Sequence, residues 1–101
     1  MDLEYLKDHI CEELSDAKEY AKNAIELKPM TAQWAKIFAE MANNELTHAS
    51  NLYRMFVEYY QKVKDSHSES PEYIEEMYKD IVQCYSTEYA TLKYMLDLAS
   101  K

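Results

Sequence analysis

The sequence predicts an all-α protein built of three long antiparallel helices. Three observations lead to this prediction: the 101-residue chain contains no glycine, it has only two prolines, and its apolar residues recur at helical spacing. A chain of this length with ordinary usage holds about seven glycines. Glycine supplies the positive-φ positions of hairpin turns and phosphate-binding loops, so a hairpin-rich β fold is disfavoured and a glycine-rich nucleotide loop is excluded. The length fits one domain over residues 1–101.

Local start and stop signals predict the first two helices. Asp2 is a suitable N-cap for a helix over residues 2–28, and Pro29 ends that helix. Thr31 is a suitable N-cap for a second helix over residues 31–64.

A short polar stretch over residues 65–70 predicts the second connection. Ser70 followed by Pro71 and Glu72 is typical of a helix start, so the third helix is expected over residues 71–100. Because both connections are short, consecutive helices are expected to be antiparallel.

Each predicted helix carries an apolar stripe with three- and four-residue spacing, which indicates a helical bundle. The expected core-facing residues are Leu3, Leu6, Ile10, Ala17, Tyr20, Ala24 and Leu27 in the first helix; Trp34, Phe38, Met41, Leu52, Met55 and Tyr59 in the second; and Ile74, Tyr78, Ile81, Tyr85, Leu92, Met95 and Ala99 in the third. Ionisable residues interrupt every stripe near its middle, and they are Glu13, Glu45, His48 and Glu88.

An antiparallel hairpin brings three of these residues to one height. Glu13 lies about 16 residues before the centre of the first turn, and Glu45 and His48 lie about 16 and 18 residues after it, so their heights agree within about 3 Å. Buried carboxylates are neutralised, paired or bound to a cation. Glu13, Glu45 and His48 are therefore candidate metal ligands. Glu88 is displaced by about 4.5 Å relative to Glu45; it is a further candidate ligand, and an exposed groove or a dimer contact explains its position equally well.

The candidate ligands favour a particular class of metal. Glu45 and His48 are three residues apart on one helix face, so both can bind one ion. Carboxylate oxygens with one imidazole suit iron or manganese, and zinc is a further option. Core packing of His48 is the alternative to ligation. Tyr20, Tyr85 and Asp16 are candidates for outer hydrogen bonds to the ligand carboxylates; no catalytic residue separate from the ligands and no organic-cofactor site is predicted.

Charge restricts the expected partners and location. The net charge of −8 argues against nucleic acid and anionic membranes as main partners. Residues 29–64 carry a net charge of +1 between flanks of −4 and −5, which suits a central helix covered by its neighbours. No apolar run is long enough to span a membrane, and Asp2 and Glu4 stand where a signal peptide is basic, so a cytoplasmic location is expected.

The remaining cysteines and histidines have no predicted function. Cys11 and Cys84 are 73 residues apart and form no C-x-x-C motif, so they are expected to be two ordinary reduced thiols. His9 and His67 have no acidic residue three positions before them and are expected to be surface residues.

Two segments of the chain resemble the ferritin-like superfamily, in particular its rubrerythrin-type and encapsulated-ferritin-type half bundles. The segments contain Glu12-Glu13-Leu14, Asp16-Ala17, Tyr20-Ala21 and Ala24, and then Phe38, Ala42 and Glu45-Leu46-Thr47-His48-Ala49. In that superfamily one helix supplies a glutamate seven residues before an aromatic residue, and the next helix supplies Glu-x-x-His. Glu13, Tyr20, Glu45 and His48 match this spacing, within a resemblance that covers roughly residues 8–57. The resemblance implies that the glutamates and the histidine are iron ligands.

The resemblance also implies a ferritin-like bundle that oligomerisation completes. A di-iron site in a four-helix bundle takes a Glu from two helices and Glu-x-x-His from two others, whereas this chain has one such motif and three predicted helices. A two-fold homodimer, or a larger even-numbered homo-oligomer, would supply the missing half. The implied function is di-iron binding, with ferroxidase-type oxidation of Fe²⁺ if the centre turns over. The alternative is a non-catalytic interaction or structural protein in which the polar layer sets the register of the bundle.

Overall fold

Three long helices make up the protein in the computed structural model, which describes residues 2–66 and 71–101. Helix α1 spans Leu3–Leu27, α2 spans Ala32–Ser66 and α3 spans Glu72–Ser100. The predicted all-α class is confirmed, and each helix begins and ends within two residues of its predicted bounds. No helix in the described part of the chain combines the length and the apolar character needed to cross a membrane.

Short-range hydrogen bonds fix the starts of the first two helices. The Asp2 carboxylate caps α1 by accepting a hydrogen bond of 2.8 Å from the backbone amide three residues later. The Thr31 hydroxyl accepts the equivalent bond at the start of α2, at 3.3 Å. Helix α3 begins with Pro71 in the N-cap position, one residue later than predicted. The predicted cap Ser70 lies outside the described residues, as does His67.

Helices α1 and α3 run parallel to each other, and α2 runs antiparallel to both. At one end of the bundle, the Lys28 ammonium group donates hydrogen bonds to the carbonyl oxygens of Leu98 and Lys101 and so joins the ends of α1 and α3. Towards the other end, the Tyr60 hydroxyl of α2 donates a hydrogen bond of 2.6 Å to the Glu75 carboxylate of α3. The resulting bundle is elongated, with dimensions of 57 by 20 by 15 Å.

Small side chains form much of the contact between α1 and α2. Ala17 and Ala21 of α1 and Ala42 and Ala49 of α2 are fully buried in one hydrophobic cluster. Larger side chains complete this cluster, and they are Leu3, Leu6, Ile10, Leu14, Leu46, Phe56, Tyr60, Ile74, Ile81 and Leu92. Because alanine occupies little space, the two helix axes can approach closely.

The predicted core-facing stripe of α2 is wrong by one position. Trp34 is 60% exposed, Met55 43% and Tyr59 42%. Each buried residue of α2 lies one position after a residue of the predicted stripe or after Glu45 or His48, which interrupt it. The buried residues are Ala35, Ala42, Leu46, Ala49, Phe56 and Tyr60. Both faces of this helix are apolar, and the face rich in alanine packs against α1 because it permits the closer approach. The bulky stripe therefore lies on an outward face.

The stripe of α1 shows a smaller offset of the same kind. Leu14 and Ala21 are buried, whereas Glu13 and Tyr20, one position earlier, are only partly buried. Glu13 therefore lies at the border of the core rather than inside it.

Stacked tyrosines join α3 to α2. The rings of Tyr60 and Tyr78 are 3.8 Å apart between centroids, and those of Tyr53 and Tyr85 are 4.0 Å apart. Only three residues of α3 are buried, namely Ile74, Ile81 and Leu92, all of which belong to the predicted stripe. Helix α3 is thus held by aromatic contacts at its edge as well as by the core.

Candidate metal centre

Three predicted ligands converge between α1 and α2. Their ligand atoms all lie within 4.8 Å of one another, and no other such group of His, Cys, Asp or Glu occurs among residues 2–66 and 71–101. His48 Nδ1 is 3.7 Å from Glu13 Oε2 and 3.8 Å from Glu45 Oε1. The hairpin therefore brings together the residues that the sequence places at one height.

The group is closed towards the core and open towards solvent. The side chains of Glu13 and Glu45 are 19% and 22% exposed, whereas that of His48 is 56% exposed. Glu13 Oε2 is shielded from solvent and has no hydrogen-bond partner. A shielded carboxylate oxygen without a donor carries the full cost of desolvation, about 1–3 kcal/mol or more. It is the kind of atom that a cation would satisfy.

The Glu13 carboxyl group influences the protonation of Glu45. A hydrogen bond with the Glu13 carboxyl raises the pKa of Glu45, and burial and the charge of Glu13 raise it further. The neighbouring His48 partly opposes this shift. Without a cation, Glu45 therefore keeps its proton to a higher pH than an ordinary glutamate does, and a bound cation would compete with that proton.

The donor set fits a transition metal ion. Oxygen and nitrogen ligands bind such an ion at about 2.0–2.2 Å, which brings ligand atoms to within about 4.4 Å of one another. The separation of up to 4.8 Å in the free group is close to this limit, so small side-chain rotations suffice. Two carboxylates and one imidazole suit iron and manganese and are also compatible with zinc. Three protein ligands leave further coordination positions open.

The structure places Glu88 away from this group. Its carboxylate lies 3.1 Å from the Lys18 ammonium group, in a cleft between α1 and α3. Helix α3 packs against a different side of α1 from α2, so a similar height along the bundle does not bring Glu88 to the other ligands. The sequence explains Glu88 as a ligand, as a residue in an exposed groove or as a dimer contact. The position in a groove agrees with this geometry.

The three candidates for outer hydrogen bonds make other contacts. The ring of Tyr20 packs against Phe38 with 6.2 Å between centroids. The hydroxyl groups of Tyr85 and Ser50 are 2.6 Å apart and share a hydrogen bond. Asp16 is exposed. Within the described residues, these contacts do not connect any of the three to a ligand carboxylate.

The sequence did not indicate that the two cysteines lie together. Cys11 and Cys84 are free thiols, as expected, but they line one cleft between α1 and α3. Burial raises the pKa of Cys11, and the adjacent Cys84 thiol raises it further. The spacing of the cysteines does contain a signal for their proximity. Lys28 and Lys101 are in contact across 73 residues, which is also the interval from Cys11 to Cys84. That signal can be read only once α1 and α3 are known to be parallel.

Comparison with known proteins identifies the family. The family model for rubrerythrin matches residues 4–99, nearly the whole chain and more than the resemblance in the sequence covers. No curated protein and no solved structure matches the chain. The matched region contains all three helices and the Glu13–Glu45–His48 group. The chain therefore belongs to the rubrerythrin family, within the ferritin-like superfamily.

Proposed function

We propose that this protein binds iron through Glu13, Glu45 and His48, and that two copies pair so that their ligand sets form one di-iron carboxylate centre. The observation that supports iron binding best is the convergence of three ligand atoms within 4.8 Å of one another, beside a Glu13 oxygen that is shielded from solvent. Membership of the rubrerythrin family agrees with this proposal. Manganese and zinc are the alternative metals for the same donor set.

The exposure of the ligands favours a centre shared between subunits. One chain supplies two carboxylates and one imidazole, which is half of the ligand set of a di-iron site in a helical bundle. His48 is 56% exposed, so the open side of the group faces away from its own chain. A second copy related by a two-fold axis would present the same three residues to that side, because such an interface uses one surface twice.

The outward face of α2 is suited to this pairing. Large apolar residues lie along it before and after Glu45 and His48, and they include Trp34, Ile37, Met41, Met55 and Tyr59, with exposures of 60%, 48%, 36%, 43% and 42%. Monomeric proteins rarely expose contiguous apolar patches of more than a few hundred Å². Residues 29–64 carry a net charge of only +1, so two copies of α2 can approach despite the overall charge of −8.

The residues of the group have separate parts in the proposed chemistry. Bound as substrate, Fe²⁺ would supply electrons to dioxygen or a peroxide. The Glu13 and Glu45 carboxylates would balance the metal charge, and the metal would compete with the proton that Glu45 holds more firmly than an ordinary glutamate does. The neutral imidazole of His48 would complete the set with a nitrogen ligand.

Anaerobic Fe²⁺ titration combined with native mass measurement tests the proposal. We expect saturable binding of two iron ions per dimer, with binding lost in His48→Ala and in Glu13→Gln. Glu12→Gln is the matched control, because Glu12 is the exposed neighbour of Glu13. Exposure of the loaded protein to dioxygen should then oxidise Fe²⁺ faster than buffer does. The absence of saturable binding, or equal binding by the variants, would contradict the proposal.

The same variants identify the non-catalytic alternative. If the group only sets the register of the bundle, Glu45→Leu and His48→Leu should raise the melting temperature, and metal should not affect the wild type. Replacement of paired polar groups by apolar residues is often neutral or stabilising when the group serves no ligand. If iron is bound, added metal should stabilise the wild type and leave both leucine variants unchanged.

A further inference from the structure

The cleft between α1 and α3 holds a pair of thiols that the proposed iron centre does not use. Cys11 and Cys84 are both partly buried and line this cleft, whose volume is about 220 Å³. The Cys84 thiol is near enough to raise the pKa of Cys11, in addition to the effect of burial. Lys18 and Glu88 form an ion pair of 3.1 Å beside them. The cleft is open to solvent on one side, since Lys18 is 48% exposed.

The proximity of the two thiols follows from the register of α1 and α3. The contact between Lys28 and Lys101 spans 73 residues, and so does the interval from Cys11 to Cys84. The Lys18–Glu88 ion pair, at an interval of 70 residues, lies between them in the same parallel alignment. Both contacts lie on the C-terminal side of the cysteines in this alignment, and together with the shared cleft they place Cys11 and Cys84 opposite each other.

We propose that Cys11 and Cys84 form a reversible intramolecular disulfide, with a low-molecular-weight disulfide as the oxidant. This inference is independent of the proposed iron centre. Two facing thiols on packed helices meet the main requirement for a disulfide, which is closeness of the two side chains in the folded state. The small cleft admits one end of a short disulfide and offers little room for a larger partner.

The exchange proceeds in two balanced steps. One protein thiolate attacks a sulfur of the oxidant, forms a mixed disulfide and releases the first small thiolate. The second protein thiolate then attacks the protein-bound sulfur of the mixed disulfide, forms the Cys11–Cys84 bond and releases the second small thiolate. The protein loses two electrons and two protons, and the oxidant becomes two small thiols.

The bond would tie α3 to α1. Helix α3 has only three buried residues, compared with seven in α1, so α3 contributes fewer residues to the core. A bond between residues 73 positions apart closes a long loop and removes many conformations from the unfolded chain. Oxidation should therefore raise the melting temperature by about 10 °C or more.

Equilibration of the full-length protein in glutathione redox buffers, with a chelator present, tests this proposal. As the ratio of oxidised to reduced glutathione rises, wild-type chains should lose two hydrogens. After alkylation in denaturant, their intact mass should show that both cysteines of a chain escape alkylation together. Cys11→Ser and Cys84→Ser are the matched controls, and each should carry one glutathione instead. Only the wild type should gain thermal stability, and dithiothreitol should reverse that gain.

Three results would overturn the proposal. They are wild-type chains that carry two glutathiones, a covalent dimer on a non-reducing gel in place of the intramolecular bond, and equal melting temperatures for oxidised and reduced wild type. Chelated metal takes no part in these measurements, so failure here and failure of iron binding are separate outcomes.

Discussion

The two apolar faces of α2 differ in side-chain size and in what covers them. The inner face, which includes Ala35, Ala42, Ala49 and Phe56, is at most 7% exposed and packs within the bundle. The outer face bears bulky side chains such as Trp34, at 60% exposure, on either side of the ligand group. Bulk and hydrophobicity therefore do not identify the inner face of a helix. Small residues permit the closest packing, and large residues remain available for another surface.

The largest expected effect is a difference between the two faces of α2 in how much a substitution lowers the free energy of unfolding. Phe56→Ala removes the largest fully buried side chain and should lower the free energy of unfolding by about 3–5 kcal/mol. Met55→Ala, the adjacent position on the outer face and 43% exposed, should change it by less than about 1 kcal/mol. Urea denaturation at protein concentrations too low for association measures both. Equal losses would show that the outer face also contributes to the stability of the single chain.

Metal binding should give the next largest effect, and only through the ligand group on the outer face. Metal at a hundredfold excess over its dissociation constant should add about 2.7 kcal/mol to the free energy of unfolding. Thermal melts with Fe²⁺, Mn²⁺ and Zn²⁺ then rank the three ions. His48→Ala should abolish the gain, whereas Glu12→Gln should retain it. A gain that persists in His48→Ala would place the bound ion elsewhere.

The pairing of two outer faces is the third comparison. Ile37 is 48% exposed, and Ile37→Asp places a charge among the other exposed apolar residues of the outer face. This change should raise the dissociation constant of the dimer at least tenfold, or about 1.4 kcal/mol. Thr47→Asp is the control, because Thr47 is exposed on the side of α2 that points away from both faces. Sedimentation velocity over a range of concentrations measures the effect. Equal dissociation constants for the two variants would reject this face as the interface.

The parts of the fold that were predictable from the sequence depend on local or hairpin geometry. Asp2 and Thr31 act as caps within one turn of their helices, so their roles are visible in short sequence windows. The common height of Glu13, Glu45 and His48 follows from counting residues across one short turn. These features need no knowledge of how the third helix packs.

The parts that were not predictable depend on rotation and lateral packing. A difference of one position in α2 rotates the inferred core face by about 100°, and alanine gives little hydrophobic signal with which to detect the error. The positions of Glu88 and the Cys11–Cys84 pair depend on which side of α1 the third helix occupies. Counting residues along the chain gives the height of a residue along the bundle. It does not give the side of α1 on which α3 packs.

The smallest expected effect is a pH dependence that distinguishes the free ligand group from the occupied one. The pKa of Glu45 is raised from its ordinary value of 4.5 by its hydrogen bond with Glu13, so the metal-free folded state binds more protons than the unfolded state above that pH. The contribution of this proton to stability is therefore complete below pH 4.5 and is lost as the pH rises through the raised pKa of Glu45. As the pH rises through this range, the melting temperature of the wild type should therefore fall relative to that of Glu45→Gln. Saturating metal should reverse the trend, because binding requires both carboxylates without their proton. An unchanged difference in the metal-free protein would contradict the raised pKa of Glu45, and an unchanged trend with metal would contradict ligation by Glu45.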